Sequence, residues 1–294
     1  MNIDTVFNDD CQKYLDNNEL FVGSLTRPTY SFTKMDEFKH KLVDDPVEGA
    51  WIYWHEMLAR AHMAAVTSVY RSRQWVESIS ISAQHSNALG FAASLRGLIE
   101  SAADTATSLI KVPMTLAEQH KEIDKMLRRK PLKRGFMINS ELEDELIHFV
   151  FARKLGKDSP APRSHAAKTV SEYLKILDNA NISGIRDTYQ KLCDLTHPGA
   201  SSILIWLSAS ESEENWRLQL GQEDDVIEFL ATDHERLILE LLMYAFNAPA
   251  LVLAVLNYFP PKDFHTPKIK HWNLSGIPAW VDISKRLRKA KIYA

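Results

Sequence analysis

Residues 73–111 read RQWVESISISAQHSNALGFAASLRGLIESAADTATSLIK. The stretch contains no proline, is stopped by Pro113, and carries a stripe of small residues: Ala88, Gly90, Ala92, Ala93, Gly97, Ser101, Ala102 and Ala103. Small side chains let a second helix approach closely, so a long helix packed tightly on another is expected here, from about Arg73 to Lys111. A chain organised around such a helix is mainly α, a multi-helix bundle.

Working outward, Asp45-Pro46-Val47-Glu48 supplies an N-cap, a proline at the first helical position and an acid in the first turn. A helix is expected from there to about Arg71, with Trp51, Trp54, Leu58, Ala61 and Ala65 near helical spacing. Downstream, Thr115-Leu116-Ala117-Glu118 and Ser140-Glu141-Leu142-Glu143 have the capping-box pattern. They open helices expected to reach about Arg129 and Leu155. Two more are expected at about 164–178 and 184–196. The second stops at His197-Pro198, because the residue before proline avoids the helical region. The period then changes. Ser202–Ser208 is short, apolar and β-prone, and Trp216–Leu220 alternates strictly, so one small β-hairpin is expected over about 202–220. A last long helix follows over about 223–258, interrupted near Pro249. In outline, residues 1–44 form an irregular N-terminal wrap, 45–259 the helical bundle domain, and 260–294 a basic C-terminal tail.

Composition agrees. Glycine (10) and proline (12) together make up 7.5% of the 294 residues, below the usual share of about 12%. That deficit argues against the many turns of a barrel or sandwich. The net charge of −3 exerts no global pull on nucleic acid. Cys11 and Cys193 are the only cysteines, which excludes a disulfide framework and a cysteine zinc site and fits a reducing, cytoplasmic compartment. The uncharged run Leu241–Phe259 approaches the length of a membrane span. Asn247, Pro249 and Asn257 interrupt it, so it reads as a buried core helix and no membrane association is expected.

Chemistry-bearing residues concentrate on two segments. Arg96 and Glu100 stand four apart on the small-residue helix, and Asp104 extends their face. Tyr189, Cys193 and His197 share a face further on, with Asp194 placed to orient the His197 ring. If the two helices pack antiparallel, Arg96, Glu100 and His197 meet. A histidine beside a carboxylate and an arginine suits proton transfer next to a phosphate. The bland alternative is an ordinary helix ion pair plus a histidine at a helix C-terminus.

Leu95-Arg96-Gly97-Leu98-Ile99-Glu100, followed by Tyr189-Gln190-Lys191-Leu192-Cys193-Asp194-Leu195-Thr196-His197-Pro198, resembles a group of uncharacterised bacterial helical proteins that are themselves similar to HEPN domains. The resemblance spans about residues 75–258 and rests on these two motifs. It implies a helical bundle, a homodimer, and a metal-independent endoribonuclease or its inactive relative in bacterial stress, toxin–antitoxin or phage-defence systems. His197 would then transfer the proton while a nearby cation holds the phosphate. The HEPN ribonuclease motif has an arginine upstream of that histidine. Here Lys191 stands at that position, and lysine lacks the forked bidentate contact.

Two other classes stand beside the ribonuclease: a non-enzymatic module that binds a protein partner, and a metal- or cofactor-binding bundle. His55, Glu56, His62, His85 and Glu100 lack the Glu-x-x-His and His-Glu-x-x-His spacings, so no metal or cofactor is expected. Cys193 with His197 is not expected to be a nucleophilic pair. Arg128, Arg129, Lys130, Lys133 and Arg134 form a basic connector. With the tail's lysines and its Trp272, Trp280 and Tyr293, they make up a candidate RNA-binding set by charge and stacking.

Overall fold

The computed structural model describes residues 7–25, 27–131, 137–209 and 215–292. The helices are α1 (Asp9–Val22), α2 (Met35–Asp44), α3 (Pro46–Gln84), α4 (Ala88–Leu109), α5 (Val112–Glu118), α6 (His120–Leu127), α7 (Ser140–Phe151), α8 (Val170–Asn179), α9 (Ile185–Thr196), α10 (Ala200–Leu204), α11 (Glu223–Asp233), α12 (Glu235–Leu256) and α13 (Pro278–Ile292). Strands β1 (Leu207–Ala209) and β2 (Trp216–Leu218) pair antiparallel in the register Leu207↔Leu218, Ser208↔Arg217, Ala209↔Trp216. The protein is thus a mainly α, multi-helix bundle with one small hairpin ahead of its last long helices.

The chain divides into two compact units. One comprises Met1–Asp16, Tyr70–Asp104 and Thr169–Ala245, the other Asn17–Val69, Thr105–Lys168 and Phe246–Ala294. In the first, Ile79, Phe91, Leu95, Leu98, Leu177, Ile185, Leu192 and Ile227 are buried core. In the second, Trp54, Leu58, Leu116, Ile123, Leu146, Val252 and Leu287 are buried.

Several boundaries move from their expected places. The helix that starts at Pro46 does so as read: the Asp45 carboxylate accepts from the backbone N–H of Val47 (3.0 Å) and Glu48 (3.1 Å). It does not stop at Arg71, where neither glycine nor proline intervenes, but runs to Gln84. The turn lies at His85–Asn87. There Ser86 adopts a left-handed φ of 52°, and the Asn87 side chain accepts from the N–H of Gly90 at 2.8 Å, capping α4. The small-residue stripe works as expected. The Trp75 ring of α3 lies against Gly97 of α4, where an added Cβ would sit 2.7 Å from the indole, and the hydroxyls of Ser78 and Ser94 meet at 2.8 Å.

Residues 1–44, read as irregular, include α1 and α2, and the tail from 260 includes α13 as well as three short 3-10 turns. Residues 203 and 204, read as strand, belong to α10, so the hairpin is shorter than expected. The final long helix breaks at His234, and Pro249 sits inside the continuous α12. Leu251, Val252 and Leu253 around it are buried, and that packing outweighs the lost backbone hydrogen bond. α12 is long and apolar enough to cross a membrane by length and composition, and 72% of its apolar window is buried.

Candidate functional site

The polar face of α4 within the first unit is the site that sequence reasoning anticipated. Its three charged residues, Arg96, Glu100 and Asp104, follow one another at four-residue spacing and stand over α8 and α9. Arg96 Nη1 donates to Thr196 Oγ1 at 3.0 Å, and its Nε lies 3.8 Å from Glu100 Oε1. The Tyr189 hydroxyl donates to Glu100 Oε1 at 2.5 Å. One turn further, the same pattern recurs. Asp104 receives Arg71 Nη2 at 2.7 Å and the Tyr173 hydroxyl at 3.0 Å. Each carboxylate of α4 thus faces one guanidinium and one phenol.

The electrostatics fit a structural lock. Burial, reinforced by the bond to the Glu100 carboxylate, pushes the Tyr189 phenol well above its ordinary value. Burial and then the Asp104 charge do the same for Tyr173. Both phenols therefore remain protonated donors at neutral pH, and neither serves as a base. The Thr196 hydroxyl donates back to Leu192 O at 2.8 Å, so its proton is committed as well.

The anticipated meeting of Arg96, Glu100 and His197 is realised only in part. Arg96 and Glu100 close on Thr196 and Tyr189. His197 is the C-cap of α9, with its backbone N–H on Cys193 O at 2.9 Å and its residue exposed, and no side-chain bond of His197 occurs among the described residues. Asp194 does not orient the imidazole. It accepts from Gln190 Nε2 at 2.8 Å, its neighbour one turn back. Lys191 Nζ lies 3.4 Å from Asp233 Oδ2 and 5.6 Å from the centre of the Phe229 ring.

Two residues of the basic connector are paired. Arg128 Nε donates to Asp124 Oδ2 at 2.7 Å. Arg129 grips both oxygens of Glu48 at 2.7 and 3.1 Å and stacks 4.2 Å over the Trp51 ring. Lys130 is exposed, and Lys133 and Arg134 lie outside the described residues. The histidines weighed for metal are packed elsewhere. His55 stacks on Trp51 at 4.7 Å, and His62 Nδ1 meets the Tyr30 hydroxyl at 2.7 Å, with burial holding His62 down to about 4. Among the described residues no group of three or more His, Cys, Asp or Glu is arranged to hold a metal ion.

A second feature of the same unit escaped sequence reasoning. A cleft of about 520 Å³ opens between α9, α10, the hairpin and α11, lined among others by Lys191, Asp194, Leu204, Asp225, Val226 and Phe229. Leu204 and Phe229 in its lining are exposed, and so are Ile203, Trp216 (57% exposed), Leu218 (66%) and Leu220 (72%) in the segments that supply its walls. The alternation Trp216-Arg217-Leu218 implies one covered face, yet all three residues of β2 are exposed. The hairpin is held at its base instead, by Trp206 Nε1 on Glu223 Oε1 at 2.6 Å and Gln219 N on Trp206 O at 2.8 Å. The available signal was charge: residues 201–233 contain eight acidic side chains and one basic one, Arg217.

Comparison of the chain with family models, with curated proteins and with solved structures finds no match.

Proposed function

We propose that this chain is a non-enzymatic helical protein-interaction module whose working surface is the cleft and apolar rim of α9, α10, the hairpin and α11. One observation carries the reading: the cleft is lined by the exposed Leu204 and Phe229, and the neighbouring Ile203, Trp216, Leu218 and Leu220 of the same short stretch are exposed as well. Exposed large apolar side chains are ordinary when scattered singly, and their concentration in one short stretch marks an interaction surface. The residues suited to catalysis support the same reading. Arg96, Glu100 and Tyr189 are engaged with one another, and neither Asp194 nor Glu100 is bonded to the His197 side chain. A general base needs its reacting proton within hydrogen-bond reach and an orienting partner.

A second reading draws on Arg96 and Thr196. The guanidinium is held on the residue immediately before His197 in the chain, and an HEPN-like site for metal-independent RNA cleavage would use a cation and an imidazole together. One assay separates the two. Mixed-sequence RNA is incubated in EDTA with the wild-type chain and with His197→Ala. The interaction module leaves the RNA intact in both. Cleavage by the wild type that disappears in His197→Ala overturns it in favour of the ribonuclease.

A further inference from the structure

We infer that the surface formed by the cleft and the exposed residues of 201–209 and 215–233 receives a basic segment of another protein, with large apolar side chains flanked by lysine or arginine. The inference rests on the interaction reading above and adds the chemistry of the partner. Among the described residues of the stretch, Glu223, Asp224, Asp225, Glu228 and Asp233 stand against Arg217, while the whole chain has a net charge of only −3. The acidity is therefore local, and Asp225 carries it into the cleft itself. Asp225 lines the cleft beside Phe229, and Glu228 is exposed on the same helix. Asp194 lines the cleft from α9. The lysine of the cleft wall, Lys191, is already opposite Asp233.

Apolar surface with an excess of carboxylates beside it selects its occupant twice. The cleft, about 520 Å³, falls within the roughly 300–1,000 Å³ of a ligand pocket and accepts large apolar side chains. The surrounding carboxylates attract cations, steer the encounter and repel anions. A polyanion such as RNA is disfavoured here, and so is an acidic peptide. A second copy of this chain is disfavoured as well, because an isologous contact would bring two acidic faces together. A cationic, apolar-bearing protein segment satisfies both the field and the exposed side chains.

The test uses the full-length chain as the target for a display library of random linear peptides, selected at low salt. Enriched peptides are then titrated by fluorescence anisotropy. The expected consensus combines large apolar residues with lysine or arginine. Affinity should fall at least tenfold in Phe229→Glu and in the charge-reversed pair Asp225→Lys with Glu228→Lys. It should also fall as salt is raised, and remain unchanged in Val43→Glu, an exposed apolar position on α2. Circular dichroism and thermal melts establish that each variant is folded.

A neutral or acidic consensus overturns the inference, as does the absence of any enriched peptide or binding unaffected by Phe229→Glu. Sedimentation equilibrium provides the remaining outcome: a wild-type dimer dissolved by Phe229→Glu assigns the surface to a second copy and overturns the inference too. These failures are distinct from failure of the interaction reading, which the RNA assay with His197→Ala detects separately.

Discussion

The polar face of α4 and the surface formed by residues 201–209 and 215–233 belong to the same unit and treat their charges in opposite ways. On α4, Glu100 and Asp104 each hold one tyrosine hydroxyl, and each faces one arginine. Asp104 is 9% exposed, and the cluster is knit into α3, α8 and α9. On the other surface, Phe229 and Leu218 are more than half exposed, and Arg217 on β2 lies open beside an excess of acids. Partly buried charge is tolerable only when paired, because desolvation is costly. Exposed apolar area is tolerable alone but becomes favourable when covered. The difference teaches that residue types which suggest catalysis are here spent on holding helices together, while the less conspicuous hairpin and α11 offer the unmet contacts.

The largest effect should come from the lock. Asp104→Ala strands the Tyr173 hydroxyl and removes the carboxylate opposite Arg71, so we expect a loss of about 2–3 kcal/mol in urea unfolding. A loss under about 0.5 kcal/mol would mean that the cluster contributes no more than an exposed ion pair.

A smaller effect, with a pH signature, is expected from Tyr189→Phe. Removing the bond to Glu100 should cost about 1–2 kcal/mol at neutral pH. The phenols of Tyr173 and Tyr189 titrate above their ordinary values in the folded chain. The unfolded chain releases those protons near pH 10, while the native chain still holds them. Their contribution is therefore fully present below about pH 10 and declines as pH rises beyond it. Urea midpoints from pH 8 to 11 should fall less steeply in Tyr189→Phe than in the wild type. Parallel curves would detach the phenol from the alkaline limit.

The smallest effect sharpens the contrast from the other side. Leu218→Ser should alter stability by no more than about 0.5 kcal/mol, as for other surface positions. A loss of about 2 kcal/mol in the same unfolding experiment would make β2 part of the core and remove the basis for a docking surface.

Much of the local structure was legible in the residues. Asp45-Pro46 and His197-Pro198 mark the start of α3 and the end of α9 because proline and a capping carboxylate act within a few residues of backbone. Gly97 and its small neighbours announced a close helix contact, and Trp75 fills it. The turn at Ser86 was misplaced towards Arg71, since an asparagine cap is a weaker mark than glycine or proline. The two segments that carry the candidate site were also legible, but their meeting was conditional on how the helices pack; Arg96 and Glu100 reach Thr196 and Tyr189 of α9, not the His197 side chain.

Short-range backbone preferences and the period of apolar residues set the helical class, the Asp45-capped start of α3 and the presence of a hairpin, whereas the boxes read at Thr115 and Ser140 do not cap: the Thr115 hydroxyl bonds Lys111 O inside α5, and Asn139 caps α7. Tertiary structure alone decided that Arg96 and Glu100 engage Thr196 and Tyr189 while His197 stands apart, and that both faces of β2 meet solvent. Those outcomes depend on which side chains from distant segments arrive within about 3 Å of each other. Spacing along one helix places residues on a common face, but it does not say which of them the neighbouring helix will touch.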